Sequence, residues 1–371
     1  METRELGYLL ALMRFPKFGP VRLAKMRGFF VSTEAAFRAN ADELRNAELD
    51  PKTIEQFISI REKLSPEKEL ELLVRSGAKV VPFTDPEYPE LLKEIYDPPA
   101  ALFVRGKLPR QNSVKLSVVG SRKVSSYGIR VIENLIEPIA NAGVTIVSGL
   151  ALGSDALAHR ATLKVRGTTV AILGSGVNNE NIFPSENRRL AFEIIENGGA
   201  VISEFPIGAP PLKQNFPIRN RVIAGLAHGT LIIEAAKTSG SLITARAALE
   251  AGREVFAVPG PIDSLTSEGT NQLLKSGAHV ATEANDILSI LGLATSNERP
   301  TAEPVVRSQR QHLPGSAAEA ELLKILSNEP IHIDDLARAL NKNISEISHV
   351  LTLMEMKGSA RHLGSLYYTI G

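Results

Sequence analysis

The chain has 371 residues, 43% of them apolar, enough for two or three domains with real cores. Its 42 Lys and Arg stand against 41 Asp and Glu, which excludes a globally basic, histone-like protein; any attraction for a nucleic acid must come from a local patch. With no cysteine, disulfides, zinc ribbons and thiol nucleophiles are excluded, and a reducing compartment fits.

The N-terminal METRELGYLLALMRF carries an apolar run too short and too charged for a signal peptide or membrane span. No later stretch reaches roughly eighteen uninterrupted apolar residues, so a soluble, cytoplasmic protein without membrane contact is expected. Residues 1–65 form a helical domain: apolar residues recur at helical spacing in GYLLALMRF, AKMRGFFVSTEAAF and TIEQFISI. Between the first two, FPKFGPVRLAKM breaks one helix at Gly19 and starts the next at Pro20. With Lys17 and Arg22 beside it, this turn is either a helix-hairpin-helix phosphate site or an ordinary connection.

Over residues 68–295 the rhythm becomes strand, turn, helix, strand. KLSVVG, VTIVSG, TTVAILGSG, AVISEF, TLIIEA and EVFAVPG are short β-branched runs, apolar on both faces, separated by helical patterns. That pattern predicts an α/β, Rossmann-like sheet covered by helices on both sides, with AKVVPF and ALFVRG as added edge strands. Residues 296–315 lack periodicity and read as a flexible linker. Residues 316–371 give three helical patterns and a two-stranded tail, a winged helix-turn-helix. Its third helix exposes Glu346 and Glu355 against few cations, so contact with protein or weak DNA contact are both open.

In a parallel sheet, ligands sit outside the carboxyl ends of the strands. The first loop there, VVGSRKVSSYG, allows a tight turn at Gly120 and sets Arg122 and Lys123 at the rim. It matches no GxGxxG fingerprint, no acid follows VTIVSG to hold a ribose, and no GxxxxGK[ST] occurs anywhere. The second loop, SGLALGSDALAH, and the third, LGSGVNNENIFPSEN, offer small residues whose backbone amides can nest an anion. Asp155 and His159, four apart, are an acid/base pair, two metal ligands, or simply a cap and a packed histidine. Glu204 and Glu234 stand alone at strand ends, as able to orient a nearby arginine as to do catalysis.

After the fourth of these strands comes PPLKQNFPIRNRVIAGL, residues 210–226, with three cations around Phe216 and no acid. Cations for phosphates and a ring for a base suit single-stranded nucleic acid, because a duplex hides its bases. The candidate contacts are Gly120, Ser121, Arg122 and Lys123 of the first loop, Ser148 and Gly149 of the second, and Gly174 and Ser175 of the third. Lys213, Asn215, Phe216, Arg219, Asn220 and Arg221 of the basic segment complete them. The competing reading is that Arg219 and Arg221 pair internally with Glu204 or Glu234 and that Phe216 is core. About four neutralised phosphates would give a slope of log affinity against log salt of about −3. No catalytic residue, metal or cofactor is expected.

GSRKVSSYG (120–128), SGLALGSDALAH (148–159), NFPIRNRVIAGL (215–226), SGSLITARAALEAGREVFAVPG (239–260) and GTNQLLKSGA (269–278) together resemble the DNA-processing protein A family, also called DprA or Smf. The resemblance implies a non-enzymatic protein that binds single-stranded DNA and dimerises through its Rossmann-like domain. It implies loading of the RecA recombinase in natural transformation, with easier displacement of single-strand-binding protein. By motif, Arg122 becomes a principal DNA contact, and Lys213 and Phe216 the cation and aromatic of the basic loop. Two departures stand out: Ser154 where relatives have isoleucine, and Phe183-Pro184 where they have a tyrosine-proline pair. Two other readings compete. One is a nucleotide-hydrolysing phosphoribohydrolase, although PGPIDSLTSEGT lacks its double glycine and placed glutamate; the other is a winged-helix regulator.

Overall fold

The computed structural model describes residues 1–293, 317–326, 331–340, 342–356, 359–362 and 366–370. The expected linker, 296–315, lies outside the described residues. Contacts divide the chain into two units, Met1–Thr295 and Ser296–Gly371.

The first unit is built on nine strands: β1 (Lys79–Pro82), β2 (Ala101–Gly106), β3 (Lys115–Val119), β4 (Thr145–Ser148), β5 (Thr169–Leu173), β6 (Ala200–Ser203), β7 (Gly229–Ile232), β8 (Glu254–Ala257) and β9 (His279–Val280). They lie in the order β1-β2-β6-β5-β4-β3-β7-β8-β9. From β6 across to β9 every neighbouring pair is parallel, whereas β2 runs antiparallel to both β1 and β6. Every residue of β3 through β7 is buried, which explains why these runs read as apolar on both faces. The polar exceptions are satisfied across the sheet: the Ser117 hydroxyl donates to Thr230 Oγ1 at 2.6 Å.

Helices cover both faces. α7 (Glu90–Lys93), α8 (Ser126–Asn141), α9 (Ser154–Lys164), α10 (Arg188–Glu196), α11 (Asn215–Gly225), α12 (Ser241–Glu250), α13 (Glu268–Lys275) and α14 (Ala284–Ile290) connect or follow the strands. On one face Ile132, Ile136 and Ile139 of α8 pack with α9 against Leu116, Val118 and Leu231. On the other, Val222 and Ile223 of α11 pack with Ala245 and Ala248 of α12 against Val119, Val147 and Ile232. Leu116 and Val118 go one way and Val119 the other, the two-residue alternation of a strand. Each such large aliphatic burial is worth about 1.5–3 kcal/mol.

The helical module of this unit has α1 (Thr3–Arg14), α2 (Pro20–Phe29), α3 (Thr33–Arg38), α4 (Ala41–Asn46), α5 (Pro51–Arg61) and α6 (Pro66–Ser76). Its core gathers Phe15, Phe18 and Phe57, with Phe18 and Phe57 ring centroids 4.7 Å apart. Leu10 of α1 and Leu73 of α6 instead join Phe103 and Val201 of the sheet, so the module is fastened to it.

In the second unit, α15 (Ala317–Ile325), α16 (Ile333–Leu340) and α17 (Ile344–Met356) enclose a core of Leu322, Leu336, Ile347, Leu351 and Met354. The tail is β11 (Ala360–His362) paired with β12 (Tyr367–Ile370). A short strand the sequence does not signal, β10 (Ile331–His332), pairs with the far side of β12. Glu346 and Glu355 of α17 are exposed, and Lys342 is drawn into a 2.6 Å ion pair with Glu321. Among the described residues, no helix is long and apolar enough to cross a membrane.

A candidate nucleic-acid cleft at the sheet's switch point

From β3 the chain adds β4, β5 and β6 to one side, then returns to lay β7 on the other. The loops after β3 and β7 therefore diverge, and a crevice opens between them, where open α/β sheets hold ligands. A cavity of about 770 Å³ occupies this position. Gly120, Ser121 and Arg122 line it from the first loop, and Lys213, Phe216, Arg219 and Asn220 from the basic segment. Phe183, from the loop after β5, and Thr238 to Ser241, after β7, complete the wall.

Close packing shapes this rim. A Cβ on Gly120 would stand 2.5 Å from Ser154 Oγ, so only glycine lets the two loops meet. Ser154 ties them, its backbone N–H donating to Ser121 O at 3.0 Å and its hydroxyl to the same oxygen at 3.1 Å. An isoleucine there has no hydroxyl, so this second bond is particular to the serine. The Ser121 side chain turns the loop, accepting from Lys123 N at 3.0 Å and donating to Lys123 O at 2.8 Å. Arg122 is left exposed, with its Cζ 6.0 Å from the Phe216 ring centroid.

Phe216 is half-buried. A Cβ on Gly174 would come within 3.0 Å of its Cδ1, so Gly174 is the seat behind the ring. Phe183 stands beside it, centroids 5.8 Å apart and planes tilted 46°, with 47% of its surface exposed. Neither Arg122 nor Lys213 has an ion-pair partner among the described residues.

The other two arginines of the segment do different work. Arg219 is 5% exposed. Its Nη1 donates to Gly149 O at 2.6 Å and to Ile172 O, stitching α11 to the ends of β4 and β5. Burial lowers its pKa to about 10, still leaving a cation at neutral pH, with Asp155 as its nearby countercharge. Arg221 does not line the cleft at all. Its Nη2 donates to Glu204 Oε2 and its Nε lies 3.0 Å from Asp97 Oδ2. Expecting four free cations at one rim was therefore too generous: Arg221 is spent on two acids, and Arg219 is a buried strut touching the cleft floor.

Several candidate residues are likewise absorbed by the fold. Ser148 donates to Val118 O at 2.6 Å, and Ser175 to Asn181 O at 2.6 Å. The Gly149 N–H is taken by Asp155 Oδ2 at 3.0 Å. Asn215 is buried and faces a different groove, and Lys123 is exposed but outside the cavity lining. Asp155 also accepts from Ala151 N at 3.3 Å, and its pKa is raised chiefly by burial. His159 is fully buried, its Nδ1 2.6 Å from Thr169 Oγ1, and burial lowers its pKa to about 3. These two side chains serve separate structural contacts rather than a joint site. Glu234 accepts from Ser125 N at 3.0 Å and the Ser125 hydroxyl at 2.5 Å, not from an arginine. In the helical module, Arg22 donates to Lys17 O at 3.0 Å and pairs with Asp50 at 2.9 Å, the ordinary helix connection.

The sequence reading missed Phe183 and the Thr238–Ser241 loop. The proximity of Phe183 to Phe216 had no local signal; the glycine and serines opening α12 were visible as a candidate helix N-terminus.

Residues 79–292 match the model of the DNA recombination-mediator protein A family, and residues 302–364 that of the DprA winged helix domain. Over 317 residues the chain is 42% identical to Protein Smf of Escherichia coli, a match spanning 85% of this chain and 83% of that one. The X-ray structure of DNA processing protein A from Streptococcus pneumoniae superposes with a TM-score of 0.66 at 32% identity, covering 76% of this chain and 97% of that one. A solved structure describing the single-stranded DNA binding mode of DNA processing protein A from Helicobacter pylori gives 0.52 at 28% identity, covering 58% and 97%. With the glycine-shaped loops, the basic segment and the winged helix all in place, the chain belongs to the DNA recombination-mediator protein A (DprA/Smf) family.

Proposed function

We propose that the cleft binds single-stranded DNA and that the protein hands the strand to a recombinase. The observation that carries this reading is the placing of two unpaired cations, Arg122 and Lys213, beside the adjacent rings of Phe216 and Phe183. Cations track the phosphates, and rings stack any base. Rings that stack bases favour a single strand, since a duplex keeps its bases stacked inside. The described single-strand binding by the Helicobacter pylori relative supports the same reading. The family resemblance extends it to loading of RecA, assisted removal of single-strand-binding protein, dimerisation through the sheet unit and action in the cytoplasm.

The test is fluorescence anisotropy with labelled single- and double-stranded oligonucleotides of equal length. Tighter binding of the single strand, lost in Arg122→Ala and Lys213→Ala, is expected; equal affinity for both forms, or no loss in either variant, overturns the cleft assignment. Loading is read as faster RecA ATP hydrolysis on DNA precoated with single-strand-binding protein.

A further inference from the structure

A second cavity, of about 440 Å³, lies between the helical module and the segment that builds the cleft. Its walls are aromatic and aliphatic: Phe15, Phe18 and Pro20 on one side, Phe205, Leu212 and Ile218 on the other. It and the DNA cleft share one partition, the chain from Pro210 to Asn220. Leu212, Asn215 and Ile218 face this groove, while their immediate neighbours Lys213, Phe216 and Arg219 face the cleft. Leu212 and Ile218 are 45% and 44% exposed on the wall of the groove.

Glu204 also lines the groove. Its side chain is 8% exposed, with Oε2 held by Arg221 and Oε1 buried without a hydrogen-bond partner. Once the carboxyl is ionised, above about pH 7, an acceptor left so costs free energy until a donor reaches it. The groove thus combines a partly exposed ring, Phe205, with an acceptor that lacks a donor.

We propose that this groove is a second subsite for the bound strand, packing one base against the half-buried Phe205 with its N–H edge toward Glu204. Every base carries an N–H donor on its Watson–Crick edge, so the subsite is tolerant of sequence. The inference rests on the reading of the neighbouring cleft as a single-strand site.

The experiment uses the full chain and oligodeoxythymidylates of about four and about sixteen nucleotides, bracketing footprints of small single-strand modules. Leu212→Asp and Ile218→Asp change half-exposed positions, and thermal melting checks that both variants fold. Each is expected to lower affinity for the longer oligonucleotide by about five- to 150-fold, the loss of one stacked base, and to leave the shorter one unchanged. Arg122→Ala weakens both lengths. Photo-cross-linking with 5-iodouracil in the longer strand is expected to give adducts on Phe205 as well as in the cleft. Equal weakening of both lengths by the aspartate variants, no weakening, or adducts confined to Phe183 and Phe216 overturns the subsite. If the parent protein binds neither length, the cleft reading itself fails.

Discussion

Ion release gives the sharpest test of the cleft, because the structure changes the expected number. On single strands each neutralised phosphate contributes about −0.7 to the slope of log affinity against log salt. Four free cations would give about −3, but among the described residues lining the cleft only Arg122 and Lys213 are cations without a compensating carboxylate. Their joint slope is about −1.4, so a tenfold rise in salt costs about 25-fold in affinity for a short oligonucleotide. Arg122→Ala or Lys213→Ala alone halves the slope, and the same rise then costs about fivefold. Anisotropy titrations across a salt series measure all three. A parent slope near −3 would mean that two further cations, such as both Arg219 and Arg221, reach phosphate after all; an unchanged slope in Arg122→Ala would remove that residue from the contact.

Arg219→Ala is expected to act on the fold first. It leaves the Gly149 and Ile172 carbonyls and buried Asp155 without their cation, a loss of about 3–5 kcal/mol in urea unfolding, whereas Arg122→Ala leaves stability unchanged. Phe183→Ala is expected to weaken single-strand binding at least fivefold, about 1 kcal/mol, with no change in melting temperature; parent-like affinity would mean that Phe216 stacks alone. Glu204 links stability to pH, because burial raises its pKa from 4.5 to about 7 against the pull of Arg221. The native state holds a proton that the unfolded chain has released between those values, so stability falls as pH rises through that window, by up to about 3 kcal/mol. Glu204→Gln cannot lose a proton, and urea unfolding at several pH values should show the decline removed; a slope that persists assigns it to another group.

The sheet was legible because parallel strands covered on both sides leave an unmistakable record: five-residue runs such as KLSVV and TVAIL have no solvent face to mark with a polar residue. The antiparallel turn at the edge was less so. AKVVPF and ALFVRG read as strands, but nothing local tells that β2 inserts between β1 and β6 with reversed direction, since that pairing is set by residues about a hundred positions apart. The two-residue β10 is too short to show any alternation and exists only because β12 offers it an edge. Pairing that depends on distant partners leaves no periodic trace in either one.

The cation cluster failed for a local reason that the sequence did contain. Residues 215–225 are a helix, yet the segment invites reading as a loop, because Pro210, Pro211 and Pro217 punctuate it. A proline near the first turn of a helix is tolerated rather than disruptive. On a helix each residue turns about 100°, so Arg219 and Arg221 stand about 200° apart and cannot serve one surface. Phe216, Arg219, Asn220 and Ile223, spaced by three and four, share the face toward the cleft. Arg221 looks the opposite way, to Glu204 and Asp97, and Ile218 toward the neighbouring groove. Applying helical spacing to NFPIRNRVIAGL thus sorts its two arginines into one at the ligand and one in the scaffold. What it cannot supply is the carboxylate that answers each: Asp155 opens α9 and Glu204 follows β6, and only the folded sheet brings them to α11. Local charge density overstates a binding site wherever the surrounding fold has acids of its own to spend, and the cations left over are the ones that follow the phosphates.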